Sequence, residues 1–294
     1  SMHHFLHPAF QFNGEELGFW VAKYQSALAD ETSSCFVNSN IENCNNLNLN
    51  AKIAPNGKIW NYIDVYNSYS FSKDIKNRIN IYGWLIHELD SHMMTNLEWG
   101  AVAYLSKSQY GAEAEIWKNS YNGYITGCSS SVLLVGAESF CLQYDTEKGL
   151  KASTTYNIYG VYDVSGGLWE RVMGNYNNII QDSGFAEKNM VQISLNYLNR
   201  YITSDSNLLN GFGMDYNNNI YGDAIYEISA NAGRFNGTYW MPELSQNWYG
   251  DYSYLPSISH PWIVRSGHFS HASSAGIFGF SASNGAAKTS YTFR

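Results

Sequence analysis

The histidines and carboxylates of this chain come closest to a reactive arrangement in His87-Glu88-Leu89-Asp90-Ser91-His92. A zinc protease spaces its two histidines four residues apart, so that both imidazoles share one helical face with a glutamate base between them. Here the spacing is five, which turns the second ring about 140° from the first at 3.6 residues per turn. A shared zinc is therefore not expected, and His87 and His92 read as ordinary hydrogen-bonding residues flanking a loop. His268 and His271 offer a second imidazole pair, for which isolated surface histidines are the simpler account. Asp215, Asn217 and Asn219 place side-chain oxygens at alternate positions, with Asp223 and Glu227 following, an arrangement that suits calcium. It is not an EF-hand, because Ile220 stands where glycine is required and Tyr226 is the twelfth residue. An Asx-rich turn accounts for the same residues, so no cofactor is expected beyond structural calcium at that stretch.

Cys35, Cys44, Cys128 and Cys141 lack the close pairing of zinc sites. Cys35 with Cys44, and Cys128 with Cys141, would close two short disulfide loops in an exported protein; the alternative is buried free thiols. With 14% charged residues and a formal charge of −8, the surface is polar through Asn, Ser and Tyr and repels phosphate, so nucleic acid is not an expected partner. No run of eighteen apolar residues is present, and no membrane span is expected in this chain. Ser1-Met2 reads as an expression scar, which leaves room for a trimmed secretion signal, pilin-like segment or anchor.

The elements that would position such residues are short. Residues 18–24 alternate as a strand does, residues 82–87 and 99–107 have helical apolar spacing, and 189–201 reads as a further helix. The Asn-rich stretches 38–50 and 217–219 suit turns. The twenty-four Tyr and nine Trp favour a loop-dominated fold with a binding face. No Pro- or Gly/Ser-rich linker divides the chain, which is read as one domain over residues 1–294.

The last 33 residues, WIVRSGHFSHASSAGIFGFSASNGAAKTSYTFR, combine two kinds of position. Trp262, Arg265, Gly267, Ala275, Gly276, Phe278, Phe280, Gly285, Phe293 and Arg294 read as frame. His268, Ser270, His271, Ser274, Gly279, Ser281, Ala282, Ser283, Thr289, Ser290 and Tyr291 read as interchangeable. Met, Trp, Lys, Gln and Glu total 47 in residues 1–262; at that rate roughly six would fall in 263–294. Only Lys288 occurs.

This tail resembles the variable region, about 262–294, of ligand-binding proteins diversified by retroelements, which carry a C-type-lectin fold of the formylglycine-generating-enzyme type. Four further segments resemble that family in order. His7-Pro8-Ala9-Phe10 with 17–24 is similar to its opening strand, and Asp90–Asn96 with Glu98–Leu105 to a principal helix. Asn157, Gly160, Asp163, Gly166 and Glu170 fit its Asn-x-x-Gly-x-x-Asp-x-x-Gly-Asn-x-x-Glu signature, with Gly167 in place of the second Asn. Arg265-Ser266-Gly267 stands where it has Arg-Gly-Gly, while residues 203–261 match only loosely.

The resemblance implies an α+β fold with small twisted antiparallel sheets, two main helices and many loops. Adenine mutagenesis of template codons in that family seldom yields the five residue types scarce here. The related oxidases bind copper through a cysteine pair after the Arg-Gly-Gly motif, since soft thiolates hold Cu(I). Here that stretch contains Ser270, His271, Ser273 and Ser274 instead, and the His-x-x-x-His-x-Glu iron motif of a second enzymatic branch is likewise missing. Asp163, Trp169 and Glu170 are assigned to scaffold, holding the tail on a rigid base.

The expected function is non-enzymatic recognition of a protein or glycan on a cell surface, in an extracellular, cell-surface or virion-associated setting. His268, Phe269, Ser270, His271, Ser274, Gly279, Ser281, Ala282, Ser283, Asn284, Thr289, Ser290 and Tyr291 are the expected ligand-binding residues, with Phe269, His271, Asn284 and Tyr291 as anchors. The rivals are an orphan enzyme of the formylglycine-generating superfamily and a structural phage-tail or pilus subunit.

Overall fold

A computed structural model describes residues 6–32, 41–85, 87–132, 138–202, 221–225 and 248–294. The fold is mixed α+β, with small sheets and few helices. Its centre is β7, Trp169–Tyr176, whose eight residues are all buried. On one side β7 pairs antiparallel with β9, Trp262–Arg265, which in turn pairs with β10, Phe280–Ser283. On the other side it is flanked in succession by β11, Tyr291–Phe293, and β8, Asn199–Tyr201, both parallel to it. The central sheet is thus mixed rather than antiparallel. Period-two alternation sends Val172 and Tyr176 into one core cluster and Met173 into the other. Both faces of β7 are covered, so it reads as an inside strand throughout.

Two ten-residue helices pack on this sheet. Helix α1, Val65–Asp74, begins where the Asp64 carboxylate accepts the Asn67 N–H, and it buries Val65 and Phe71 in the cluster containing Trp60, Met173, Trp262 and Phe293. Following it, α2, Ile79–Tyr82, is a single turn that stops at left-handed Gly83. That stop corrects the helix expected over 82–87. Helix α3, Asn96–Leu105, starts at a capping box in which Thr95 and Glu98 bond reciprocally to each other's backbone. Its Gly100 is required by close approach, since a Cβ there would sit 1.9 Å from the Gly222 carbonyl oxygen.

Two further expectations are corrected. Residues 18–24 form no strand, because their carbonyls serve other partners: Lys23 O accepts from Tyr162 N, and Ala22 O from the Arg294 guanidinium. The nearest strands are β1 Gln11–Phe12, β2 Glu15–Glu16 and β3 Ala27–Leu28, the last pairing with β4 Ala51–Lys52. Residues 189–201 are not one helix. They comprise the end of the single turn α4, Glu187–Met190, then a turn, then β8. The apolar residues Met190, Ile193 and Leu198 do enter the core, but the main chain at 199–201 spends its hydrogen bonds on β7.

Cys128 and Cys141 form a disulfide next to the short pair β5, Cys128–Ser129, and β6, Leu142–Gln143. Cys44 is also disulfide-bonded, and Cys35 lies outside the described residues.

Candidate functional site

The signature segment leading into β7 is a buried knot of ionic and amide contacts. Asp163, 2% exposed, takes a positive φ of 58° and turns its carboxylate onto the N–H of Gly127, at 2.9 Å and 3.1 Å, and the Asn119 side-chain amide, at 2.9 Å. Burial pushes its pKa up, and these donors pull it back. Glu170, fully buried, accepts two hydrogen bonds from Arg294 at 2.8 Å and 3.0 Å. Arg294 also donates to the carbonyls of Ala22 and Tyr162, tying the C-terminal residue and the segment around Ala22 to the signature. Arg265 donates to Asn96 Oδ1 and to the carbonyls of Asp223 and Ala224. All four groups are buried, and their hydrogen bonds are made within the protein.

Gly167 departs from the signature for a visible reason. Its φ is +73°, and a Cβ there would stand 2.7 Å from Gln25 Oε1. Gln25 uses that oxygen to accept the Leu168 N–H at 3.2 Å and its amide to donate to the Leu168 carbonyl at 2.8 Å. The side chain of Gln25 thus pairs with the main chain entering β7, and glycine makes room for it.

All ten frame positions of the tail are buried. Trp262 packs on Phe185, Phe278 and Phe280 lie in one core cluster, and Phe293 lies in the other. Of the thirteen expected ligand-binding residues, Ser270 and Thr289 are exposed, and His268, Phe269, His271, Ser274, Ser281, Asn284, Ser290 and Tyr291 are partly so. Gly279, Ala282 and Ser283, the other three, are buried. On β10, Phe280 and Ala282 face inward while Ser281 faces out, and Ser283 Oγ turns in to accept the Gly285 N–H.

The structure gathers the first part of the tail into one turn. Phe269–Ser274 is a 3-10 segment entered from His268, held against the signature by Phe269 N–H donating to the Gly167 carbonyl at 2.7 Å. His271 Nδ1 accepts the His268 N–H at 3.2 Å, and His268 Nδ1 lies 2.7 Å from Ser270 Oγ. The His271 ring stacks on Tyr252 and meets the edge of Trp169, whose main-chain N–H donates to Ser290 O. Burial lowers the pKa of His271, and it lowers that of His268 to about 4, with His271 beside it adding to the effect. Both rings are neutral at pH 7. Other tail residues lean elsewhere: Asn284 donates to Asp182 at 2.7 Å, the Thr289 carbonyl accepts from Asn61, and the Arg171 guanidinium lies over the Tyr291 ring at 4.6 Å.

Sequence reasoning passed over the segment 248–254. Tyr252 N–H donates to Ser274 O and Tyr252 O accepts from Phe280 N, so this segment lies against the tail as its wall. Asp251, 1% exposed, accepts the Phe278 N–H at 3.0 Å, and burial raises its pKa to about 8. The run Trp248-Tyr249-Gly250-Asp251-Tyr252 is the signal available in the sequence, since a dense aromatic run needs packing partners for its large apolar area.

The remaining candidates lie apart. His87 is exposed, whereas His92 Nε2 meets Glu98 Oε1 at 2.9 Å. Burial works against the charged His92 ring, but the hydrogen bond and charge of Glu98, together with the charge of Asp90, leave the pKa raised. Asp215, Asn217 and Asn219 lie outside the described residues, and Asp223 is engaged by the Tyr201 hydroxyl at 2.6 Å. Among the described residues no group of three or more His, Cys, Asp or Glu is placed to hold a metal. Nor is any described helix long and apolar enough to cross a membrane. The chain matches no protein-family profile and no curated protein.

Proposed function

We propose that this chain is a single-domain, non-catalytic ligand-binding protein, in which a C-type-lectin-like scaffold of the formylglycine-generating-enzyme type displays a retroelement-diversified tail to a cell-surface ligand. The observation that carries the reading is the partition of the tail by burial. All ten positions taken as frame are buried, whereas eight of the eleven taken as interchangeable reach solvent at least in part. A surface that must vary in chemistry while the fold stays constant needs this separation, because surface substitutions cost little and core substitutions cost much. Burial of Asp163, Glu170, Arg265 and Arg294 favours scaffold over catalysis for the most enzyme-like residues. The Cys128–Cys141 disulfide and the disulfide-bonded state of Cys44 suit an extracellular, cell-surface or virion-associated setting.

Two measurements test the reading. The gene's neighbourhood should contain a near-copy of the codons for 263–293, with adenines at the accessible positions, beside a reverse transcriptase gene. A locus without it refutes programmed diversification. Fluorescently labelled protein should bind a subset of intact bacterial or host cells, and Phe269→Ala and Tyr291→Ala should abolish that binding without moving Tm. Turnover of a substrate that is insensitive to both changes would instead identify an enzyme.

A further inference from the structure

Helix α2 and the three residues after it read Ile-Asn-Ile-Tyr-Gly-Trp-Leu, and they turn their apolar side chains to water. Ile79, Ile81, Trp84 and Leu85 are each between 41% and 52% exposed. Tyr82 turns the other way, its hydroxyl donating to Ala51 O at 2.9 Å and accepting the Ala51 N–H at 3.2 Å. Arg78 fixes the start of the turn by donating to Leu47 O at 2.7 Å, Leu49 O at 3.1 Å and Asn50 Oδ1 at 2.8 Å, and left-handed Gly83 reverses the chain. Single apolar residues on a surface need no explanation, but four large ones within seven positions of a held backbone mark a contact area.

The same patch carries both a hole and a projection. A recess of about 240 Å³ is lined by Ile79 and Leu85 with Lys76, Asn77 and His87, while Trp84 stands on the same turn outside that lining. Its charges are balanced as well. Residues 73–90 contain three cations, Lys73, Lys76 and Arg78, and three carboxylates, Asp74, Glu88 and Asp90, in a chain of formal charge −8. Lys73 pairs with Asp90 at 3.3 Å and Arg78 with Asp74 at 2.9 Å. Lys76 and Glu88 remain, one of each sign, and neither joins an ion pair among the described residues. Glu88 spends Oε2 on the Leu85 N–H at 3.0 Å and keeps Oε1. Two copies of so acidic a chain repel each other, and a locally neutral apolar face is where they can approach. Under two-fold symmetry a patch meets itself and every contact is made twice, so a face that holds a projection, a hole, a cation and a carboxylate complements its own copy. Balanced charge gives no pull toward anionic lipid headgroups.

We propose that this turn is the two-fold interface of a homodimer, in which Trp84 of each copy enters the recess between Ile79 and Leu85 of the other, and Lys76 pairs with the partner's Glu88. The proposal goes beyond the ligand-face reading and does not depend on it. Light scattering and sedimentation of the full chain at about 100 µM, where any low-micromolar Kd gives mostly dimer, should report twice the mass of one chain. Trp84→Ala changes an exposed residue, so Tm should hold while association weakens at least about tenfold. Lys76→Glu and Glu88→Lys, each alone, set like charges opposite one another twice, and each protein should be monomeric. An equal mixture of the two variants restores opposite charges at both contacts and should regain the dimer.

A monomer at that concentration, a dimer that Trp84→Ala leaves as tight as before, or a mixture that stays monomeric would each overturn the proposal. Flotation of a monomeric protein with phosphatidylcholine vesicles, lost in Trp84→Ala, would assign the patch to a membrane instead. Oligomeric state and cell binding are separate readouts. A monomer that still binds cells through Phe269 and Tyr291 refutes the dimer and keeps the ligand face, whereas a dimer whose cell binding ignores the tail does the reverse.

Discussion

The signature knot and the histidine turn lie side by side, joined by the hydrogen bond from Phe269 to Gly167, yet they place their polar groups in opposite ways. In the knot, Asp163, Glu170 and Arg294 are closed off from water, and their hydrogen bonds are made within the protein. In the turn, His268 and His271 each use Nδ1 within the turn, and neither Nε2 is hydrogen-bonded among the described residues. The difference teaches that polarity alone does not mark a site here. What separates the two regions is whether any hydrogen-bonding capacity remains after the fold has been satisfied.

The contrast breaks most visibly at Glu170. Glu170→Ala leaves Arg294 buried beside no carboxylate, and loss of one partner of such a pair should cost about 3–5 kcal/mol in denaturant unfolding. A loss below about 1 kcal/mol would show that the knot tolerates change as a surface does. Asp251, under the tail, gives the next largest effect. Its folded pKa of about 8 lies above the ordinary 3.8, so the stability gained by keeping it protonated is complete below pH 3.8 and is lost as pH rises through 8. Asp251→Asn, which stays neutral, should match the parent near pH 4 and exceed it by a few kcal/mol at pH 8. Thermal unfolding across that range checks the sign, and parallel curves would show that Asp251 is already ionised at neutral pH. The smallest effect is expected at the face itself, where Ser270→Ala with Ser290→Ala should shift unfolding by no more than about 0.5 kcal/mol.

The frame of the tail was legible because it is written in Trp, Phe, Arg and Gly, residue types whose size or backbone needs admit few environments. Helix α3 was legible from apolar spacing, although the Thr95 and Glu98 box starts it three residues before the expected 99. Small residues carried no such message. Gly279, Ala282 and Ser283 suit a display loop and a tight inner strand equally well, and only the pairing of β10 with β9 decides between them. The helices expected over 82–87 and 189–201 failed through local chemistry: Gly83 ends the first, and pairing with β7 draws out the end of the second. Tyr252 escaped notice because its role depends on a stacking partner nineteen positions away.

Strand β7 is held between β9 and β11, the two strands that bracket residues 266–290. Both ends of that excursion are therefore clamped to a common rod, and the distance it must span is independent of the side chains it carries. Substitutions within the excursion that leave this pairing intact inherit an already closed ring of backbone, and the cost of bringing its ends together does not change with them.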